Sequence, residues 1–410
     1  MFISEVREKV IPRPPENSVG TVVATVAGGQ ACNQAVVTRT RGSSVALGAF
    51  FGYATVVMAE ALVLTDPTEA PRFADGPLSR WCRAHLYDPR DEVFVRLTLE
   101  VLLAMGGGMA LLGALLRTEV VPPLVAATGY LALWGWYSAP VILMLHNTMH
   151  RPFLRRPKWL DFLHPYVMSL LLGIPTGYGQ HHLGMHHVED NLPSDLSSTM
   201  RYRRDSFVHF LVYFGRFFLF ILGELTAYLL RKRRTRMARR AFGGELVHLS
   251  VVGAALWVDW RFGLVAFAIP TFMVRFLMMV GNWGQHAFLN VTRDNDGLSN
   301  SITCINSGYN QRAFNDGYHI GHHLKASRHW TEMPQDLLDN VERYARAGAI
   351  VFRGIDFFLV SLLLWTGSWR TLARRYVTLD GVARTEDDII ALLKSRVAPI
   401  AEWPEPAAAE

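Results

Sequence analysis

Apolar residues in this chain come in long runs separated by short polar breaks, the pattern of helices that cross a membrane. Residues 93–116, with "VLLAMGGGMALLGALL", form one such run. The charged break "RTEVVPP" at 117–123 and the run 124–145 complete a helical hairpin that ends at His146. A second apolar block lies between Phe207 and Val280. Within it, 244–258 and 262–280 form a second hairpin, turning at Asp259-Trp260-Arg261. Residues 44–64 are a further apolar run, about twenty residues and long enough to span. Glu60 sits inside that run, so an interfacial helix competes with a span there. Residues 350–365 are too short for a secure span, and Thr385-Glu-Asp-Asp opens a small amphipathic helix with a capping-box pattern. The expected fold class is an all-α membrane protein. It has about four transmembrane helices in two hairpins, with interfacial helices and a cytoplasmic helical cap. Along the chain this gives a loosely ordered lead (1–43), an apolar helix with a cytoplasmic segment (44–92), a membrane domain (93–345), and C-terminal helices with a disordered tail (346–410). There is no internal repeat.

Charge orients this arrangement. "RKRRTRMARR" at 231–240 carries seven positive charges, and such a run resists translocation. It belongs on the cytoplasmic face, with both ends of the second hairpin. Residues 207–230 then lie in the interface instead of crossing. The alternative, with 207–230 crossing and the basic run outside, stays open. Half the residues are hydrophobic and the mean hydropathy is +0.16, which fits a membrane-embedded half and a polar half on one side. The net charge of +6 follows from Lys and Arg flanking the spans. No basic motif with interleaved aromatics is present, so nucleic acid is not an expected partner. The three cysteines are far apart and form no CxxC, which gives neither a disulfide framework nor a zinc–thiolate site. The first 41 residues are polar and carry no signal-peptide core. Glycines 106–108 and 113 follow no strand and have apolar flanks, so close helix packing accounts for them better than a phosphate loop.

The candidate chemistry lies in the histidines. Nine of the 15, with one asparagine, fall into four groups: His146 and His150 in "HNTMH"; His182, His186 and His187 in "HLGMHH"; Asn282 and His286 in "NWGQH"; and His319, His322 and His323 in "HIGHH". Residues three or four apart share a helical face. His146 pairs with His150, Asn282 with His286, and His182 with His186, while His319, His322 and His323 make one patch. His187 projects away from its neighbour, so the His186–His187 doublet suits two metal ions. Each group lies at or beside the end of an apolar run, so all four can meet on one side of the membrane. Imidazole suits iron, zinc, copper and nickel. So many imidazoles without a thiolate argue against structural zinc. A lone histidine at a helix end is more often an interfacial or hydrogen-bonded residue, and His85, His164, His209 and His248 read that way. His181 lies off the His182/His186 face, and His329 is at most a supporting partner. HExxH, GxSxG and Walker motifs are absent. The single Glu-x-x-His, Glu245 to His248, is too little for a ferritin-like site and lies in an apolar segment.

The pattern H-x3-H, H-x3-HH, N-x3-H, H-x2-HH resembles the integral-membrane fatty acid desaturases of the histidine-box di-iron superfamily, over about residues 93–335. "NDGYHIGHH" (315–323) is similar to that family's third box, and "NWGQH" to the asparagine–histidine pair of acyl-CoA desaturases. Box two has three residues before its doublet, where many desaturases have two. The resemblance implies that the nine histidines ligate two irons, with Asn282 binding one through water, and that O2 is the co-substrate. It implies a double bond introduced into the acyl chain of a lipid or thioester. Hydroxylases, monooxygenases and ketolases of the superfamily share the ligand set. A metal transporter or sensor is the reading from another class, but it would hold its ligands near mid-membrane. The His-Pro-Gly-Gly signature of cytochrome b5 is missing, so the expected electron donor is a separate ferredoxin or cytochrome b5-like protein. The expected location is a bacterial inner membrane, with the site on the cytoplasmic side. Ligating imidazoles need partners for their other nitrogen. Glu189, Asp190, Asp195, Asp294, Asp296 and Asp316 lie near the boxes, and Asp316 and Glu189 are the preferred pair. "GYLALWGWY" (129–137) and "IPTGYG" (174–179) are candidate substrate-tunnel linings, though such stretches are more often helix packing.

Overall fold

The length and apolarity of the runs set the architecture. In a computed structural model of the chain, residues 62–290 and 297–400 are described, together with two short strands, Val22–Ala24 and Ala35–Val37, which pair antiparallel. Those strands belong to one unit, Met1–Ala54, and Thr55–Glu410 form the other. The rest of the 1–43 lead, residues 44–61 of the first apolar run, the 401–410 tail, Asp294 and Asp296 lie outside the described residues. Residues 62–64 form neither helix nor strand, and Leu62 and Leu64 pack against the cluster around Leu298 and Tyr318.

The protein is helical with very little strand. Among the described residues, four helices are long and apolar enough to cross a bilayer: Pro89–Thr118, Phe207–Arg231, Thr235–Val258 and Trp260–Gln285. Pro123–His150 is as long as these but dilutes its apolar run with Tyr130, Trp134, Trp136, Tyr137, Ser138 and Pro140. It runs antiparallel along Glu92–Thr118: Thr98 Oγ1 lies 3.5 Å from Met144 Sδ, and Gly108 faces Leu133 and Tyr130 further down. Pro122 and Pro123 turn the chain, with Pro123 at the first helical position where its missing N–H costs nothing. This is the expected first hairpin. Of its glycines only Gly108 needs to be small, since a Cβ there would lie 2.7 Å from Leu133; Gly106 and Gly107 face open space.

The second hairpin, Thr235–Val258 with Trp260–Gln285, turns at Asp259, whose carboxylate caps the amides of Arg261 and Phe262 at 3.0 and 3.2 Å. Phe207–Arg231 has the length of a span, and residues near both its ends contact the 189–199 segment. Near its start the Tyr213 hydroxyl donates to Ser197 O at 3.1 Å; near its end Tyr228 donates to Glu189, and Lys232 pairs with Glu189 at 3.0 Å. Ser197 and Glu189 belong to the same connection between box two and this helix, so residues near both helix ends contact it.

The 350–365 segment splits in two. Ile350–Arg353 pairs in parallel with Ile302–Ile305, and Phe357–Trp365 packs on Trp260–Gln285. That packing requires glycine at 284, where a Cβ would stand 2.3 Å from Phe357 O. The Thr385 capping box forms as expected. Arg204, fully buried, donates to carbonyls of Thr199, Met200, Tyr202, Ala287, Arg396 and Ala398, tying the C-terminal segment to the core.

Candidate metal centre

The nine histidines of the four boxes gather into two groups. His146, His150, His182, His187 and His322 form one; His186, His286, His319 and His323 form the other. Within each group every residue offers a donor atom within 4.8 Å of the others.

In the larger group, four Nε2 atoms close a ring: His146 to His182 at 2.9 Å, His182 to His187 at 3.0 Å, His187 to His322 at 2.9 Å, and His322 to His146 at 2.9 Å. A neutral Nε2 carries one proton or one lone pair, so at most two of these four short edges are hydrogen bonds and the others are close N···N contacts with no proton between them. Metal–imidazole bonds of about 2.1 Å put right-angled ligands about 3 Å apart, which fits these edges. The His150 ring lies 4.6 to 5.1 Å from all four ring centroids, and its Nε2 is buried without a partner among the described residues. The donor set therefore fits one ion held by a square of imidazoles with a fifth to one side.

In the smaller group, His319 Nε2 stands 3.3 Å from His286 Nε2 and 3.1 Å from His323 Nε2. The outer nitrogens of the other rings are anchored. His186 Nδ1 meets Asp195 at 2.7 Å, His323 Nδ1 meets Asp190 at 2.9 Å, and His286 Nδ1 meets the Asn300 carbonyl at 2.6 Å. Each anchor fixes the tautomer and turns Nε2 to the group. Asn282 lies beside it on the last turn of its helix, with Nδ2 donating to Tyr213 at 2.7 Å and to Ser197 O at 3.0 Å.

Electrostatics prepare these rings as ligands. Burial holds His182, His187, His319 and His322 well below the usual imidazole range, and crowding by neighbouring rings pushes the same way. They are neutral at pH 7, with lone pairs free. At His186 burial is outweighed by the charge and hydrogen bond of Asp195, which raise it. Asp195, despite its own burial, is held far below the carboxylate range by His186 and the Ser197 hydroxyl.

Local backbone explains the sorting and corrects two sequence expectations. The spacing pairs His182 with His186, but His182–His186 forms a π-helical turn, which aligns residues five apart. His187 therefore joins His182, and His186 turns to the other group. The additional residue in box two is absorbed by this wider turn. In the third box, His319 and His323 keep the i,i+4 pairing, while His322 leaves the expected single patch for the larger group.

Of the preferred pair of carboxylates, Asp316 stands beside a box histidine and Glu189 does not. Asp316 faces His146 Nδ1 at 3.5 Å and accepts from Tyr309 at 2.9 Å. Among the described residues Glu189 meets no imidazole and is spent on Tyr228 and Lys232. Asp190 and Asp195 face His323 and His186 as Asp316 faces His146. The Asn300 carbonyl carries no sequence signal at all. Of the remaining histidines, His164 bridges Thr98 and Thr148, His329 contacts Thr331 and Asp91, and His85 stacks on Trp81.

A cavity of about 510 Å³ adjoins both groups, with His146, His182, His186 and His319 in its lining. Trp134, Gly135, Pro175, Gly177 and Tyr178 line it from the two candidate stretches, and Phe217, Leu222 and Leu225 come from the Phe207–Arg231 helix.

A family model described as fatty acid desaturase matches residues 119–354. Neither the curated proteins nor the solved structures give a match. The matched stretch is more than half the chain and contains all nine gathered histidines and Asn282: the protein belongs to the fatty acid desaturase family.

Proposed function

We propose that the protein is an O2-dependent di-iron desaturase that introduces a double bond into the acyl chain of a lipid or thioester. The nine histidines are the ligands, five on one iron and four on the other, with Asn282 completing the second site through water. The observation that carries this reading is the ring of four Nε2 atoms with His150 beside it, next to a second group whose outer nitrogens are anchored. When bound, two irons supply O2 activation and removal of hydrogen from an unactivated methylene. The chain's own residues do the rest. Asp195, Asp190 and the Asn300 carbonyl orient the rings. The apolar cavity takes up the alkyl chain, worth roughly 0.8 kcal/mol per buried methylene, and keeps water from the reacting carbon.

The site faces the cytoplasm in this reading. Arg234 donates to Gly184 O and Lys232 pairs with Glu189, so the basic 231–240 run lies at the level of box two, and such runs stay inside. The protein is then a multi-pass enzyme of a bacterial inner membrane. Its electrons come from a separate ferredoxin or cytochrome b5-like protein. Hydroxylases, monooxygenases and ketolases use the same ligands, so the test reads the product. Mass spectrometry of host lipids with and without the gene should show species lighter by two hydrogens. Species heavier by one oxygen, with no new double bond, would replace desaturation by hydroxylation.

A further inference from the structure

The Glu-x-x-His of the second hairpin has a place in the cavity wall. Glu245 lies on Thr235–Val258, where it and Arg275 of the neighbouring helix form a buried ion pair, their side chains 12% and 8% exposed. Arg275 also donates to Gly173 O at 3.1 Å and Thr271 O at 2.9 Å. His248, one turn from Glu245, meets the Thr271 hydroxyl at 2.9 Å. Glu245, Thr271 and Arg275 all line the cavity. Ionisable groups at this depth are costly and mark sites far more often than packing.

The pair is not fully used by the fold. One carboxylate oxygen neutralises Arg275, while Glu245 Oε2 is buried with no partner among the described residues, and so is His248 Nδ1. A purely structural staple for Arg275 needs only the first oxygen. An unmet buried acceptor on a carboxylate is expensive, and a donor in the cavity removes that cost. Arg275 lies seven residues, about 10 Å, before Asn282 on the same helix, at 1.5 Å per residue.

Resting on the desaturase reading of the cavity, we propose that Glu245 and its neighbours form a subsite for a hydroxyl group on the lipid substrate, roughly 10 Å or more from the reacting carbon. The hydroxyl donates to Glu245 Oε2, and the cavity selects lipids that carry such a group remote from the site of reaction. Glu245 is thus a specificity-determining residue that fixes how far the chain threads past the histidines.

The test is equilibrium binding of 1-octadecanol, octadecane and octadecanal to the metal-loaded full chain in phosphatidylcholine nanodiscs, corrected for uptake by empty discs. The wild type should hold the alcohol about tenfold tighter than the alkane, the scale of a hydrogen bond to a charged acceptor. Glu245→Gln keeps the bond from Arg275 but can present an N–H to the cavity. It should lose the alcohol preference and gain one for the aldehyde. Iron content and elution volume establish that this variant is folded, and the wild-type comparison decides without it. Equal wild-type affinity for alcohol and alkane would overturn the proposal, as would an alcohol preference unchanged in Glu245→Gln. Binding is read without O2 or an electron donor, so a failure of desaturation leaves this result standing, and the reverse.

Discussion

Asp195 accepts from His186 Nδ1 at 2.7 Å and is itself held by the amide and hydroxyl of Ser197 at 2.7 and 2.6 Å. Replacing it by Asn removes the charge that fixes the His186 tautomer. Asp195→Asn should weaken metal at the four-histidine group by about 10–100-fold while leaving the other group loaded, as read by chelator competition. Equal loss at both groups, or none, would contradict the division between them. Glu189→Gln should leave metal affinity unchanged, since Glu189 meets only Tyr228 and Lys232, and should cost less than about 1 kcal/mol for a partly exposed pair. His322→Ala removes one corner of the nitrogen ring. It should abolish turnover and lower iron content with membrane insertion intact; retained activity would remove His322 from the ligands. Residue identity was legible here because imidazoles at helical spacing are rare outside metal sites. The choice among six nearby acids was not, because an acid's partner depends on the path of a loop. Asp190 and Asn191 take left-handed backbone to bend 189–199 around the site, and no side-chain pattern announces that.

At the scale of elements, box two shows how helix type decides ligand assignment. Residues five apart coincide on a π turn and residues four apart on an α turn. Deleting Leu183 shortens H-x3-HH to H-x2-HH, and an ordinary α turn then brings His182 and the second histidine of the doublet together again. This deletion should retain both metals by elemental analysis, whereas deleting Leu183 and Gly184 together should lose them. Loss in the single deletion would mean that the π turn does more than keep register. Periodicity could reveal that a helix carries these histidines, but not its pitch, because propensity barely separates α from π geometry over five residues. The hairpins were legible for the opposite reason: long apolar runs and an Asp259 cap dominate their local energetics.

For the whole molecule, the open question was the Phe207–Arg231 helix, long and apolar enough to span. Hydropathy could not decide it, because a helix buried against other helices and one buried in lipid have the same composition. The basic run at 231–240 argues for a helix lying in the interface, and Tyr213 and Tyr228 both contact the 189–199 segment. Cysteines placed singly at Ser206 and Arg233, in a chain without other cysteines, should react with an impermeant maleimide from the same side of the membrane. Labelling from opposite sides would make the helix a span and move the basic run.

The central claim is that two groups of imidazoles each hold an iron. Elemental analysis of the purified protein measures it most directly, with metal counted per chain. The account predicts two irons, falling towards one in Asp195→Asn at limiting metal. A single zinc per chain, with no iron taken up on reconstitution, would contradict it.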